Sequence, residues 1–364
     1  MSLYRIASRR VAALCSGVVV AAAMTGCICC KTMLSETDNG GTEKMVAQNV
    51  FDVSLADFPR LEGEVSDNGR FNRAVAAGAN GVLFVPAGVY ELNETLKITN
   101  LCSLLMHKSA VLRAVAEMDY VMVYDAKNHW TKGNATDFNL FISGGDLDGN
   151  GLASCLMLTE FHHFTLRDIT LRNGRKYGLR VQDYGGSYEL VANNVYGRCY
   201  LPGLAGNVGI SLNGGDSHYT DCIMVDYTIG MEITRGGSNR LTRCHVWGGP
   251  LPPRQEGEDR EMLVDSINYK IAGSDTVLRD CYADTGKTGF LIEGNARLLG
   301  CAYYNNFGFK LDDITVIRHR KGKLLVSDGY FTKTSPKATV YDGIGGAIWR
   351  DNIYNGFNEA DLPK

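Results

Sequence analysis

The feature that most constrains this chain is a short plan that keeps returning along it. "VGISLNGGDSHYTDC" (Val208–Cys222), "IGMEITRGGSNRLTRC" (Ile229–Cys244) and "TGFLIEGNARLLGC" (Thr288–Cys301) each run from a glycine through an apolar–any–apolar triplet and a polar turn to a cysteine. The spacing is 13 residues for Gly209–Cys222, 14 for Gly230–Cys244 and 12 for Gly289–Cys301. "INYKI" (Ile267–Ile271) joins the set with Asn268 in the glycine place, 13 residues before Cys281. Gly178 and Gly308 head two further units, Gly178 reaching Asn193 or Asn194 where the others reach cysteine. A fixed period of this length is the mark of a repeat architecture.

Within each unit the apolar residues alternate: Leu179/Val181, Ile210/Leu212, Met231/Ile233, Tyr269/Ile271, Phe290/Ile292 and Phe309/Leu311. Period-2 alternation reads as strand with one face inward. A unit of two or three short strands cannot bury that face alone, but stacked on copies of itself it can, which predicts an all-β parallel solenoid. Equivalent side chains then form columns, and Cys222, Cys244, Cys281 and Cys301 are expected as an interior column of small apolar groups. The seven cysteines beyond Cys30 are an odd, widely spaced set, a poor disulfide framework, and show no zinc spacing. The leucine-rich repeat, the rival architecture, lacks its signature here. Forty-two glycines against eight prolines suggest many turns of positive φ.

The front of the chain has a different character. Arg5, Arg9 and Arg10 precede the apolar stretch Val11–Met24, which ends in "MTGC" (Met24–Cys27). This pattern is similar to a bacterial lipobox, and implies a signal peptide over 1–26, lipidation of Cys27 and an outer-membrane or cell-surface lipoprotein; a cleaved signal peptide and a soluble periplasmic or secreted protein is the alternative. Residues 27–48 are small and polar and read as a flexible tether. The remainder, 49–364, reads as one domain. A helix is expected over 66–78, capped by Ser66 or Asp67, presenting Phe71, Ala74 and Val75, and ended by Gly78. It would close the first coil, and strands and a cap are expected over 320–364.

"GRFNRAVAAGANGVLFVPAGVYELNETLKI" (Gly69–Ile98) resembles the N-terminal region of the pectate-lyase-like superfamily, and "ISGGDLDGNG" (Ile142–Gly151) is similar to an element of its polygalacturonase-type members. The resemblance covers about residues 50–330 and implies a right-handed parallel β-helix and an extracellular polysaccharide as substrate. It does not carry over the pectinase site. Those hydrolases keep acidic residues and a histidine at or just before the glycine strands, where this chain has Tyr177, Val208, Ile229, Ile267, Thr288 and Phe307.

Chemistry is instead expected beside two insertions, Gly197–Asn207 and Gly248–Met262, which both enter just before a glycine strand and so would wall a groove. The outward column of those strands reads Arg180, Ser211, Glu232, Lys270, Leu291 and Lys310. A hydrolase would pair Glu232 with Asp226 or Asp284. A lyase would take Lys270 or Lys287 as base. Arg175, Lys176, Arg180 and Lys310 suit acidic sugars, and Trp247, Tyr227 and Tyr304 are candidates for stacking on sugar rings. No cofactor is expected, although Asp146 and Asp148 in "GGDLDGNG" could approach Ca²⁺. The net charge of −3 argues against a nucleic-acid partner. The function expected is polysaccharide cleavage, by hydrolysis or elimination; the alternative is a non-catalytic polysaccharide-binding or adhesin-like surface protein.

Overall fold

The computed structural model describes residues 31–37, 43–127, 139–182, 186–201, 206–248, 266–304, 313–333 and 335–363. The expected signal peptide and Cys27 lie outside them, as do Phe307, Gly308, Phe309, Lys310 and Leu311. The chain divides into two units, 1–50 and 51–364. In the first, Lys31–Thr37 and Glu43–Asn49, inside the expected tether, pair as antiparallel strands.

The second unit is a right-handed parallel β-helix of three parallel sheets, with twelve, eleven and ten strands among the described residues, in chain order. One coil shows the plan. His218–Thr220 lies in the first sheet, Ile223–Tyr227 in the second and Ile229–Arg235 in the third, and each pairs with its counterpart one coil away. The glycine-led strands of the sequence form the third sheet. Their inward residues Leu179, Ile210, Met231, Tyr269 and Phe290 are in register. All are at most 1% exposed, and the Tyr269 and Phe290 rings stack at 5.2 Å.

The recurring cysteine is explained by the turn between the first and second sheets. One residue there takes a left-handed backbone (Asp221 at φ 54°, Arg243 at 51°, Asp280 at 52°, Gly300 at 63°), and the next residue turns inward. Cys222, Cys244, Cys281 and Cys301 are that inward residue, fully buried and free of disulfides. Successive coils are joined through them: His245 N–H donates to the Cys222 carbonyl, Tyr282 to Cys244, Ala302 to Cys281. Burial pushes the Cys301 thiol up to about 12. In earlier coils the column continues as Ile169 and Val195 rather than as Asn193 or Asn194; Asn194 is the left-handed residue, at φ 52°.

The strand-leading glycines have another cause than positive φ. A Cβ on Gly209 would lie 2.5 Å from the Gly230 carbonyl oxygen, and one on Gly289 would lie 2.7 Å from that of Val316. Close approach of the next coil excludes a side chain there. The described strand after Thr288–Ile292 is Thr315–His319, so Arg318 stands opposite Leu291, the place expected for Lys310.

The helix is Asn68–Ala77, ended by Gly78. Asp67 precedes it but does not cap it; its carboxylate is taken by Arg60 at 3.0 and 2.9 Å, while Ser66 Oγ accepts from the Asn68 N–H. Phe71, Ala74 and Val75 face the core.

Candidate functional site

On the outside of the third sheet, Arg180, Ser211, Glu232, Lys270 and Leu291 stand opposite one another in successive coils. Strand alternation puts them outward because their neighbours on either side face the core. Glu232 is nevertheless only 8% exposed. Ser211 Oγ donates to its Oε1 at 2.7 Å, and Lys270 Nζ lies 4.0 Å from its Oε2. Lys270 Nζ is also 4.0 Å from Glu293 Oε2, so the two carboxylate oxygens are no more than 8.0 Å apart. Glu293 is the member that sequence reasoning missed; it follows the triplet Phe290–Ile292 directly, where a turn residue drew no notice. Towards the N-terminal coils the same face carries Tyr177, with the Arg180 guanidinium 4.8 Å and the Lys176 amine 5.4 Å from its ring centre. Arg175 reaches Glu117 at 3.6 Å.

Asp226 and Asp284 project from the second sheet, and their recorded partners are second-sheet groups. Asp226 is 3.4 Å from Arg198 Nε. Asp284 is 5% exposed, accepts from Thr285 Oγ1 at 2.5 Å and lies 4.0 Å from His245 Nε2. The structure thus joins Glu232 to Lys270 and Glu293, and its recorded contacts do not join it to either aspartate. His245 stacks on Tyr282 at 3.9 Å, and Tyr304 lies 6.0 Å from Tyr282 and 5.9 Å from Tyr330, so these rings form a stripe. Burial pushes the His245 pKa down to about 4. Trp247 is half-buried against the core. Lys287 occupies the turn into Thr288–Ile292 and accepts a hydrogen bond from Thr315 at its carbonyl.

Tyr227 corrects the sequence reading: it is a core residue with no exposed surface, and its hydroxyl points to the Leu171 carbonyl at 3.4 Å. Asp226 before it takes φ 62°, and the strand register shifts between Val225 and Tyr227, which breaks the alternation and turns the ring inward. Asp146 and Asp148, considered beside Ca²⁺, are each paired with an arginine. Asp148 is held by Arg113 at 3.1 Å and Asp146 by Arg172 at 2.6 Å. "DGNG" is a tight turn with Asn150 at φ 52° and Gly151 at 71°. Among the described residues no three His, Cys, Asp or Glu groups stand around a common centre.

Both expected insertions leave the second sheet and return at the third: one between Arg198 and Val208, the other between Gly248 and Ile267. Residues 202–205 and 249–265 within them lie outside the described residues. A third excursion, between Tyr304 and Thr315, uses the same turn. The column just before the glycine strands, Tyr177, Val208, Ile229, Ile267 and Thr288, is in register and continues to Thr315, without a carboxylate.

The family described as "Right handed beta helix region" matches residues 154–327. ORF18 of Geobacillus virus E2 superposes with a TM-score of 0.59 at 14% identity, over 88% of this chain and 66% of that one. The A-module of the Azotobacter vinelandii mannuronan C-5 epimerase AlgE4 gives 0.57 at 13%, over 84% and 96%. The endo-xylogalacturonan hydrolase of Aspergillus tubingensis gives 0.54 at 13%, over 83% and 92%. The chain therefore spans about two-thirds of the viral protein's length and nearly all of the epimerase module. At these identities the likeness establishes the fold alone. No curated protein matches the chain in sequence.

Proposed function

We propose that the protein is an exported enzyme that cleaves an extracellular polysaccharide laid across the outer face of the third sheet, with Glu232 and Glu293 astride the scissile bond and Lys270 between them. The observation that carries the reading is the Ser211–Glu232–Lys270–Glu293 cluster. Hydrolysis with inversion or retention uses carboxyl groups roughly 5–9.5 Å apart, a span that the bound of 8.0 Å between these two oxygens allows. Ser211 fixes one oxygen of Glu232 and leaves the other towards Lys270. Elimination would use Lys270 as base instead. Arg175, Lys176 and Arg180 on the same face favour a uronate or sulfated chain, and the three excursions entering that sheet would wall the groove. Two of the structural relatives are by name a mannuronan epimerase and a xylogalacturonan hydrolase. We propose further that Cys27 is lipidated and holds the protein at a bacterial outer membrane.

A panel of neutral, uronic and sulfated glycans, read for new reducing ends and for absorbance at about 235 nm, tests the reaction. Reducing ends without absorbance, lost in Glu232→Gln, mean hydrolysis. Absorbance means elimination. Glycan retention without cleavage overturns the enzyme and leaves a binding module, which the absence of carboxylates from the pre-glycine column would then explain. Anchoring is tested by fractionation: Cys27→Ser should move the protein from membrane to soluble fractions.

A further inference from the structure

Just past Glu232 the third sheet departs from regular pairing. Val208–Asn213 and Ile229–Arg235 stay in register as far as Leu212 opposite Ile233. The register then shifts, so that Asn213 stands opposite Arg235 and Thr234 is left over. Such a bulge sets two successive residues of one strand against a single residue of its neighbour. Strict alternation would send Arg235 inward, because Met231 and Ile233 face the core. Instead Thr234 and Arg235 are both exposed. One extra residue has turned an arginine outward on the strand that carries Glu232.

The next coil has only a small side chain at this place. Ile271 stands opposite Ile233, and Ile292 opposite Ile271, so Ala272 lies between the bulge and Glu293. The backbone bonds agree: the Ala272 N–H donates to the Ile233 carbonyl, and the Glu293 N–H to that of Ile271. Ala272 is thus a low point on the face. Glu232 and Lys270 stand to one side of it, with Arg235 and Glu293 in the coils before and after. Arg235 is also uncommitted: its side chain has no ion pair or hydrogen bond among the described residues. The side-chain oxygen of Asn213 opposite is buried without a hydrogen-bond partner, and the guanidinium does not turn to it. By contrast Arg318, farther along the same face, is held by Asp342 at 3.6 Å.

We infer that Arg235 sets the specificity of this groove by binding the acidic group, carboxylate or sulfate, of the sugar next to the cleaved bond. The inference rests on the cleavage proposed above. A guanidinium offers a planar fork of donors that matches either anion. Arg175, Lys176 and Arg180 belong to the coil of Tyr177–Gln182, two before that of Glu232. Arg235 lies on the strand of Glu232 itself, so it reads the reacting sugar rather than the chain leading to it. Charge gives the reason for a second cation there. Glu232 and Glu293 together repel an acidic sugar, and Lys270 offsets only one of them.

The test compares matched polymers: a uronan with its methyl ester, and a sulfated glycan with its desulfated form. Turnover is measured as kcat/KM on the full chain, on Arg235→Ala and on Arg243→Ala. Retention of the same polymers is measured on Glu232→Gln with and without Arg235→Ala. In Arg235→Ala the advantage of the acidic polymer should fall by about 10–100-fold, the worth of a hydrogen bond to a charged group. The loss should lie chiefly in KM, with an unchanged melting temperature. Arg243→Ala should leave the advantage as it is, and the pair that responds distinguishes carboxylate from sulfate. If no polymer is cleaved, the proposed cleavage fails, and retention decides for Arg235: acid selectivity lost in its absence supports the inference. An acid preference that survives Arg235→Ala overturns it, and so does the lack of any such preference in the unsubstituted protein.

Discussion

The outer face of the second sheet balances its charges in pairs: Arg113 with Asp148, Arg172 with Asp146, Arg198 with Asp226. Over the coils from Tyr177 to Glu293 the outer face of the third does not, although further along Arg318 pairs with Asp342. There Glu232 and Glu293 share one lysine, and Arg180 lies over a tyrosine ring. Both faces come from the same coils with the same spacing. On the second, opposite charges in adjacent coils hold those coils together. Around Lys270 on the third, two carboxylates share one cation, leaving groups that a ligand can engage. A stacked architecture can assign one column to cohesion and the next to chemistry without altering the backbone.

The sharpest way to test that contrast is Glu232→Gln. It keeps the shape and leaves an oxygen for Ser211, but removes the charge and the titrating group. Turnover should fall by about 10²–10⁴, the usual contribution of a general acid or base, with the melting temperature and glycan binding nearly unchanged. A variant with full activity would put the chemistry elsewhere. One that unfolds would make Glu232 a structural group like Asp148.

A smaller effect is expected on the second sheet, from acid. His245 is pushed down to about 4 from an ordinary 6.5 by burial. Between these values the unfolded chain binds a proton that the folded chain does not, so stability falls as the pH drops from 6.5 to 4 and this contribution is flat outside that window. The loss is at most about 3 kcal/mol, because the Asp284 carboxylate 4.0 Å away favours the proton and so opposes the shift. Urea midpoints at several pH values should show a shallower pH dependence for His245→Gln; parallel curves would refute the assignment.

Asp148→Asn comes next. The new amide keeps an acceptor for Asn150 and Asn173 but faces Arg113 with a donor. The expected cost is about 1–2 kcal/mol, the lower part of the range for charged hydrogen bonds, because Arg113 is 39% exposed. Any change in turnover on the true substrate would break the division between the two faces.

The sequence reading reached as far as strict periodicity allowed. The outward column from Arg180 to Leu291 and the inward cysteines were legible because each residue recurs at a nearly fixed distance from a glycine. Three things escaped. The left-handed turn residue varies among Asp, Asn, Arg and Gly, so no letter marks it. The strand Thr315–His319 has Val316 where other strands have glycine, so the glycine motif does not mark it. Tyr227 kept the alternation in sequence but lost it in space, because one left-handed residue before it reversed the face. The Glu293 contact was illegible for a different reason: it joins side chains from non-equivalent places in adjacent coils, and a period reports only equivalent ones.

The smallest expected effect is at Arg243. Its guanidinium pairs with Asp221 at 2.8 and 2.7 Å, with better geometry than Arg198 and Asp226 show. The two side chains are 57% and 46% exposed, however, and water competes for both. Exposed pairs contribute little, so Arg243→Ala should leave the melting temperature nearly unchanged. Arginine and alanine are both strained at φ 51°, so the backbone term cancels in this comparison. Arg243→Gly removes that strain, and its difference from Arg243→Ala isolates the cost of the left-handed turn from the ion pair. If instead Arg243→Ala destabilised the protein as much as Asp148→Asn, an exposed turn pair would bind coils as well as the half-buried pairs of the second sheet, and burial would no longer explain why those pairs matter.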